Sequence, residues 1–194
     1  MILSNKLVPG EKIIQDKLAL SLGISRTPLR SALQMLEAEN LVESIPRRGM
    51  YVKKLTNKDL IDIYDCRMGF ETTAVRLFIE HASDQNVEKL SKIFEPFKGL
   101  KKINEVTYSK ADTRFHNTIV EKTKNKFLID LFSKSNLVDF INRVGLIRPP
   151  LETLPEHIEI IEAIKNRNVL KAEKASREHL ITSRELILKQ LKNE

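Results

Sequence analysis

Residues 15–49, QDKLALSLGISRTPLRSALQMLEAENLVESIPRRG, read as two short helices followed by a hairpin. Leu18, Ala19 and Leu22 give the first helix an apolar face, and Gly23 supplies a residue able to take positive φ in the turn that follows. Ser25 suits the N-cap of the second helix, and Pro28 falls in its first turn, where no intrahelical N–H bond is lost. Leu29, Ala32, Leu33 and Leu36 follow at helical spacing and are expected to face inward. Arg26, Arg30 and Gln34 recur at intervals of four on the opposite side, with Thr27 and Ser31 beside them. Asn40 is expected to end the helix in the left-handed conformation. Leu41–Ile45 and Met50–Lys53 then read as short strands around the basic tip Pro46-Arg47-Arg48-Gly49.

A helix buried on one side and carrying Arg, Thr, Ser and Gln on the other fits the major groove of double-stranded DNA. Arginine pairs bidentately with guanine edges, glutamine pairs with adenine, and hydroxyl groups reach phosphates. Arg47, Arg48 and Gly49 would form a wing that places cations on phosphate or in the minor groove. A helical hairpin with a solvated arginine face would explain Arg26 and Arg30 alone. It leaves the ordered set Gly23, Ser25, Pro28 and the basic tip unexplained.

The composition agrees. The 194-residue chain is 41% hydrophobic and 30% charged, with a formal net charge of +7. Residues 1–55 hold nine Lys/Arg against five Asp/Glu, a balance of +4 in this short piece. No stretch approaches the roughly 20 apolar residues of a membrane span, and the first ten residues lack the apolar core of a secretory signal. The one cysteine, Cys66, fits a reducing compartment and reads as a small helix residue. These features place the chain in the cytoplasm, with no membrane partner.

Beyond Leu55 only helices are expected, over Asp59–His81, Asp84–Leu100, Asn104–Lys122, Lys126–Val144, Pro155–Asn166 and Val169–Leu191. Thr56 is the expected cap of the first of these. The last carries a broad stripe at Leu170, Ala172, Ala175, Leu180, Ile181, Leu186, Ile187 and Leu191. The fold is therefore read as mainly α. A winged helix-turn-helix with a small β-hairpin occupies residues 1–55, and an antiparallel all-α bundle occupies residues 56–194.

Three histidines fall on separate helices of the bundle, and His116 lies four residues after Asp112, on the same helix face. Carboxylate and imidazole together suit zinc, nickel, manganese or iron. By spacing alone, Asp112, His116, His157 and His179 also read as surface or satisfied core residues. His81, near a helix end, reads as a capping or surface residue.

The run Pro9-Gly10-Glu11, Leu18-Ala19, Gly23-Ile24-Ser25-Arg26-Thr27-Pro28-Leu29-Arg30, Ala32-Leu33, Leu36-Glu37, Leu41-Val42 and Pro46-Arg47-Arg48-Gly49 resembles the winged helix of the GntR family of bacterial regulators. Arg67 with Glu71, Asp112 with Phe115-His116, Asn125, His157 with Ala163-Ile164, Ala172 and His179-Leu180 resemble the helical effector domain (FCD type) of its FadR-like subfamily. Together they cover nearly the whole chain. The resemblance implies a cytoplasmic, dimeric repressor or activator on a palindromic operator. It also implies one divalent metal held by Asp112, His116, His157 and His179, and a small carboxylate effector met by Arg67 and Arg143. An ordinary surface ion pair is the competing reading of both arginines.

There are two departures. The family's helix before Pro9-Gly10-Glu11 is here mostly absent, so the first helix is expected to be truncated. Asp16, before Lys17, stands where the family often places an arginine. Two other functions stay open at this point: a helical metal-dependent hydrolase, with Glu121 or Glu156 as base, and a pure metal sensor without an organic effector.

Overall fold

A computed structural model describes residues 1–2 and 6–192, apart from the side chains of Asp139, Asn142 and Arg143. The chain forms two compact units, Met1–Thr56 and Asn57–Glu194.

In the first unit, α1 (Gln15–Leu22) ends at Gly23, whose φ of +66° is left-handed and strains any side chain. Helix α2 (Arg26–Ala38) starts at Ser25, whose backbone is extended as an N-cap requires, although its side chain makes no capping bond. Leu29 and Leu33 are buried and Leu36 is half-buried. Ala32, expected inward, is exposed. It lies at the edge of a narrow apolar arc, and its methyl group is too short to reach the core. Leu22 is likewise exposed and Leu18 only half-buried, so α1 is anchored by Ala19.

Asn40 is left-handed with φ 58°. Strands β1 (Val42–Ile45) and β2 (Gly49–Val52) pair antiparallel from Val42↔Val52 to Ile45↔Gly49, with both valines buried. Each strand is one residue off the expected span: Gly49 joins β2, while Leu41 and Lys53 lie just past the ladder, linked by one bond from Lys53 N to Leu41 O at 3.1 Å. Glu37 of α2 accepts a hydrogen bond from the Ser44 amide at 3.1 Å and ties the helix to the hairpin. A third edge was not expected. Residues 11–13 run beside β2, with Val52 N donating to Glu11 O at 2.9 Å and Ile13 N donating to Met50 O at 2.8 Å. Pro9-Gly10 signals the preceding turn, and three residues are too few to show strand alternation.

The second unit is helical throughout its described residues. Helix α3 (Asn57–His81) packs chiefly on α9 (Val169–Lys192), and α8 (Pro150–Lys165) packs on α9 as well. Between them run α4 (Asp84–Ser91), α5 (Glu105–Glu121), α6 (Lys126–Ser135) and α7 (Leu137–Val144). Three of these starts are capped through side chains: Ser83, Asn104 and Asn125 accept from the amides of Asn86, Thr107 and Leu128. Phe78, Phe94, Tyr108 and Phe115 fill the core among aliphatic residues of α8 and α9.

Three expected helices differ. Asp84–Leu100 stops at Ser91 and continues as a 3-10 turn over Glu95–Phe97, because Pro96 cannot donate to a continuing α-helix. Lys126–Val144 is broken at Asn136, which adopts φ 52° and divides α6 from α7. Helix α8 begins at Pro150 rather than Pro155. Pro150 takes the position where a missing N–H costs nothing, and Pro155 sits on the exposed face. Leu170, expected in the α9 stripe, is exposed. Among the described residues, no helix is long and apolar enough to cross a membrane.

Candidate metal centre and nucleic-acid surface

Arg26, Thr27, Arg30, Ser31 and Gln34 all lie on the exposed side of α2, opposite Leu29 and Leu33. Arg26 is bound at its Nε by Asp16 Oδ1 at 2.5 Å, both side chains exposed, so the unusual carboxylate of α1 neutralises one arginine of the face. Ser31 donates to the carbonyl of Thr27 at 3.3 Å. Arg47, Arg48 and Gly49 form the exposed hairpin tip, with Arg47 (φ 61°) and Gly49 (φ +97°) both left-handed. Lys12, on the unexpected third edge, lies over the Tyr51 ring at 5.9 Å and approaches Gly49. It adds a cation beside the tip, and its place was hidden because the pairing of residues 11–13 was not legible.

In the helical unit, α5 presents Asp112 and His116, α8 presents His157, and α9 presents His179. The three histidines are buried, and one ring nitrogen of each lies within 4.8 Å of the others. Asp112 Oδ1 stands 3.3 Å from Nε2 of His157 and 3.8 Å from Nε2 of His116. Each Nδ1 is held from outside the cluster by a different group. Glu71 Oε2 binds that of His116 at 2.6 Å, Tyr108 Oη that of His157 at 3.0 Å, and Glu156 Oε2 that of His179 at 2.7 Å. Tyr108 continues to Thr153 Oγ1 at 2.9 Å, and Phe94 stacks on the His157 ring at 4.6 Å. The Nε2 atoms of His116 and His157 are buried without a hydrogen bond.

Burial sets the electrostatics. It holds His157 well below its ordinary pKa, with the neighbouring His179 adding to the effect. It also lowers His179, although Glu156 opposes this. Burial lowers His116 too, but Glu71 and Asp112 outweigh it and push this imidazole up to about 9. Burial would raise Glu71, yet Arg67 and His116 hold it down at about 2. Asp112 is pulled below the usual carboxylate range against burial, chiefly by His116. Two neutral imidazoles and a carboxylate are thus ready donors, and the third imidazole shares its proton with Glu71.

Buried orphan nitrogens, a carboxylate alongside and outward groups that fix each ring are what a divalent transition metal requires. The residues present fit such an ion. Glu71, Tyr108 and Glu156 supply the outer contacts, which sequence spacing could not assign to individual histidines.

Beside the cluster is a small cavity of about 30 Å³, room for one or two waters, lined by Arg67, Arg148 and Ser183 as well as by Asp112, His116 and His179. Arg67 binds Glu71 at 2.5 Å through Nε and leaves Nη2 buried without a partner. Arg143 falls within α7, but its side chain lies outside the described residues. Arg148 was not expected. It grips Glu156 with both terminal nitrogens and reaches Ser183 Oγ at 3.0 Å and the His179 carbonyl at 3.2 Å. A general-base role for Glu156 does not fit these contacts, since burial would raise its pKa but His179 and Arg148 hold it at about 2. Glu121 is exposed at the far end of α5. His81 ends α3, and its neighbour Ala82 is capped by Arg167, which also binds the Ile79 carbonyl.

Residues 1–52 match the model of the bacterial regulatory proteins of the gntR family, and residues 62–182 match the FCD domain. The chain is 33% identical over 188 residues to the uncharacterized HTH-type transcriptional regulator YdhC of Bacillus subtilis, covering 93% of this chain and 81% of that one. McbR/YncC of E. coli shares the fold with a TM-score of 0.75 at 21% identity, over 98% of this chain and 92% of that one. The Zn2+-bound FCD domain of TM0439 superposes with a TM-score of 0.58 at 17% identity, over 73% of this chain and 99% of that domain. The names of the family and of this relative are those of transcriptional regulators rather than enzymes, which sets the hydrolase reading aside. With both halves of the chain accounted for in order, the protein belongs to the GntR family of bacterial regulatory proteins, as a DNA-binding transcriptional regulator that carries an FCD domain.

Proposed function

We propose that this regulator reads a palindromic operator as a cytoplasmic homodimer, and that a small carboxylate metabolite controls it at a metal site. Residues 1–55 would read DNA and residues 56–194 would bind the effector and dimerise. Arg26, Thr27, Arg30, Ser31 and Gln34 enter the major groove, and Arg47, Arg48 and Gly49 hold backbone or minor groove. One such helix reads few base pairs, so specificity calls for two heads and a two-fold site.

One observation carries the metal reading. Three buried histidines converge while each Nδ1 is engaged elsewhere, and two of the inward Nε2 atoms have no hydrogen bond. Asp112, His116, His157 and His179 would hold one divalent ion, with zinc, nickel, manganese and iron all suited to the donors. The Zn2+-bound FCD domain of TM0439 supports this reading. When bound, the ion supplies a positive centre for an anionic ligand. With a single carboxylate ligand and neutral imidazoles the site keeps about one positive charge. Arg67 adds the unpartnered Nη2 on the same cavity and can clamp a carboxylate. The cavity of about 30 Å³ admits a carboxylate head rather than a whole sugar acid, so larger effectors need the residues around Arg148 to move. The effector controls operator binding only to the extent that it prefers one arrangement of the protein.

Calorimetry with hydroxy acids and sugar acids on metal-loaded, metal-stripped and His157→Ala protein tests the anchor, and a gel shift with the native promoter reports release. Binding confined to the loaded wild type is expected. Equal affinity in all three forms would remove the metal from effector binding. Release by metal alone, indifferent to every acid, would leave a pure metal sensor.

A further inference from the structure

Asp16 and Arg26 meet across the turn that joins α1 to α2. Asp16 is the second residue of α1, and Arg26 is the first of α2. Oδ1 of Asp16 stands 2.5 Å from Nε of Arg26, and the two side chains keep 60% and 71% of their surface, so a duplex can reach both. Of the four arginines assigned to DNA, Arg26, Arg30, Arg47 and Arg48, Arg26 is the one in an ion pair among the described residues. The carboxylate stands at Nε. Among the described residues, the terminal nitrogens Nη1 and Nη2 of Arg26 have no hydrogen bond.

We infer that Asp16 is a positioning residue that sets base specificity: it keeps Arg26 off phosphate and turns the Nη1–Nη2 edge toward a guanine. The inference rests on the reading of α2 as the helix that enters the major groove. The first residues of such a helix lie nearest the base edges, and Arg26 opens it. Guanine is read by two parallel N–H groups of one guanidinium, and an arginine held at Nε still has its terminal pair for this. A flexible exposed side chain loses rotamer freedom when it docks, and holding it beforehand lowers that cost. Charge acts in the same direction. Asp16 with Arg26 sums to zero, and a carboxylate repels phosphate, so this arginine adds little to the sequence-independent attraction that unpaired arginines supply. An unpaired arginine at this place would bind any backbone. A paired one gives up general affinity and keeps selectivity, which is the ratio of specific to general binding.

The test uses the full chain and duplexes that the wild type selects from a random-sequence library. Fluorescence anisotropy across a salt series gives affinities for the selected duplex and for each of its single-base-pair variants, with thermal melts as a folding control. Wild type, Asp16→Asn, Arg26→Ala and the double variant are compared, and Asp16→Ala serves should Asp16→Asn fold poorly. Arg26→Ala should flatten the preference at one base pair by about 5–150-fold. Asp16→Asn should reduce the preference at that same base pair by about twofold to fivefold, the worth of an exposed pair. It should also steepen the salt slope by about 0.9 per chain, with mismatched duplexes gaining more affinity than the selected one. In the Arg26→Ala background Asp16→Asn should change no preference. A shift that survives there, or one at a different base pair, means that Asp16 does not act through Arg26 and overturns the inference. So does a preference left intact by Asp16→Asn alone. If Arg26→Ala itself changes no preference, the groove reading of Arg26 falls and takes the inference with it.

Discussion

Tyr108→Phe removes one oxygen atom from the structure and tests the outer contacts of the histidine cluster. Tyr108 is fully buried, so no water replaces the lost hydroxyl at His157 Nδ1. The ring stays in place against Phe94 and Phe97, at 5.5 and 5.3 Å, so the substitution opens almost no cavity. Leaving a buried imidazole nitrogen unpaired costs about 1–3 kcal/mol of stability. The effect on metal is distinct. A ligand that binds through Nε2 carries its proton on Nδ1, and the Tyr108–Thr153 chain is what receives that proton. Removing such a partner lowers metal affinity by about 10–100-fold, or about 1.4–2.7 kcal/mol. Competition against a chelator of known affinity measures it with zinc, and melts with and without zinc separate it from stability. Thr153→Val, one bond further out, should give a smaller loss in the same direction. Unchanged zinc affinity in Tyr108→Phe, with a melt lowered as expected, would refute the assignment of Nε2 of His157 as a ligand.

Four other substitutions have defined outcomes. Arg30→Ala should cost about 1–3 kcal/mol on the operator and relax preference at one base pair, measured by gel shift on a panel of single-base variants. Arg48→Ala should instead weaken all sequences alike and lower the salt slope by about 1. Asp16→Asn frees Arg26 from an exposed pair worth about 0–1 kcal/mol, so its melt should barely move while affinity for DNA of any sequence rises. Arg148→Met removes one of the two partners of the half-buried Glu156 carboxylate, which keeps His179, and should lower the stability read in a thermal melt by about 1–3 kcal/mol. The acid limb follows. Glu156 sits at about 2 in the folded chain against an ordinary 4.5, so its stabilisation is present above 4.5 and drains away as pH falls toward 2. The variant should lose the share of that acid transition due to Arg148 and keep the share due to His179.

Much of this arrangement was legible in the sequence because it rests on local chemistry. Gly23, Pro28 and Asn40 each act within one turn of the chain, and the helix breaks and hairpin tip follow from them. Asp112 and His116 share a helix face by spacing alone, whereas bringing His157 and His179 to them needed the family resemblance. What remained hidden depends on tertiary contact. The pairing of residues 10–13 with β2 is made by three backbone bonds that leave no side-chain pattern. Arg148 and Tyr108 find their partners at separations of 31–49 residues for His179, Ser183, Thr153 and His157, which no periodicity encodes. The position of α8 misled because Pro155 reads as a first-turn proline that opens a helix, yet it stands inside α8 on a solvent face where a lost N–H costs little.

The metal site is the centre of the account, and metal stoichiometry tests it most directly. Wild-type protein purified without chelator, stripped, and then offered zinc, nickel or manganese should take up one ion per chain, while His157→Ala with an intact fold takes up none. No uptake of any of these ions by the folded wild type, or equal uptake by the variant, would contradict the reading of Asp112, His116, His157 and His179 as ligands.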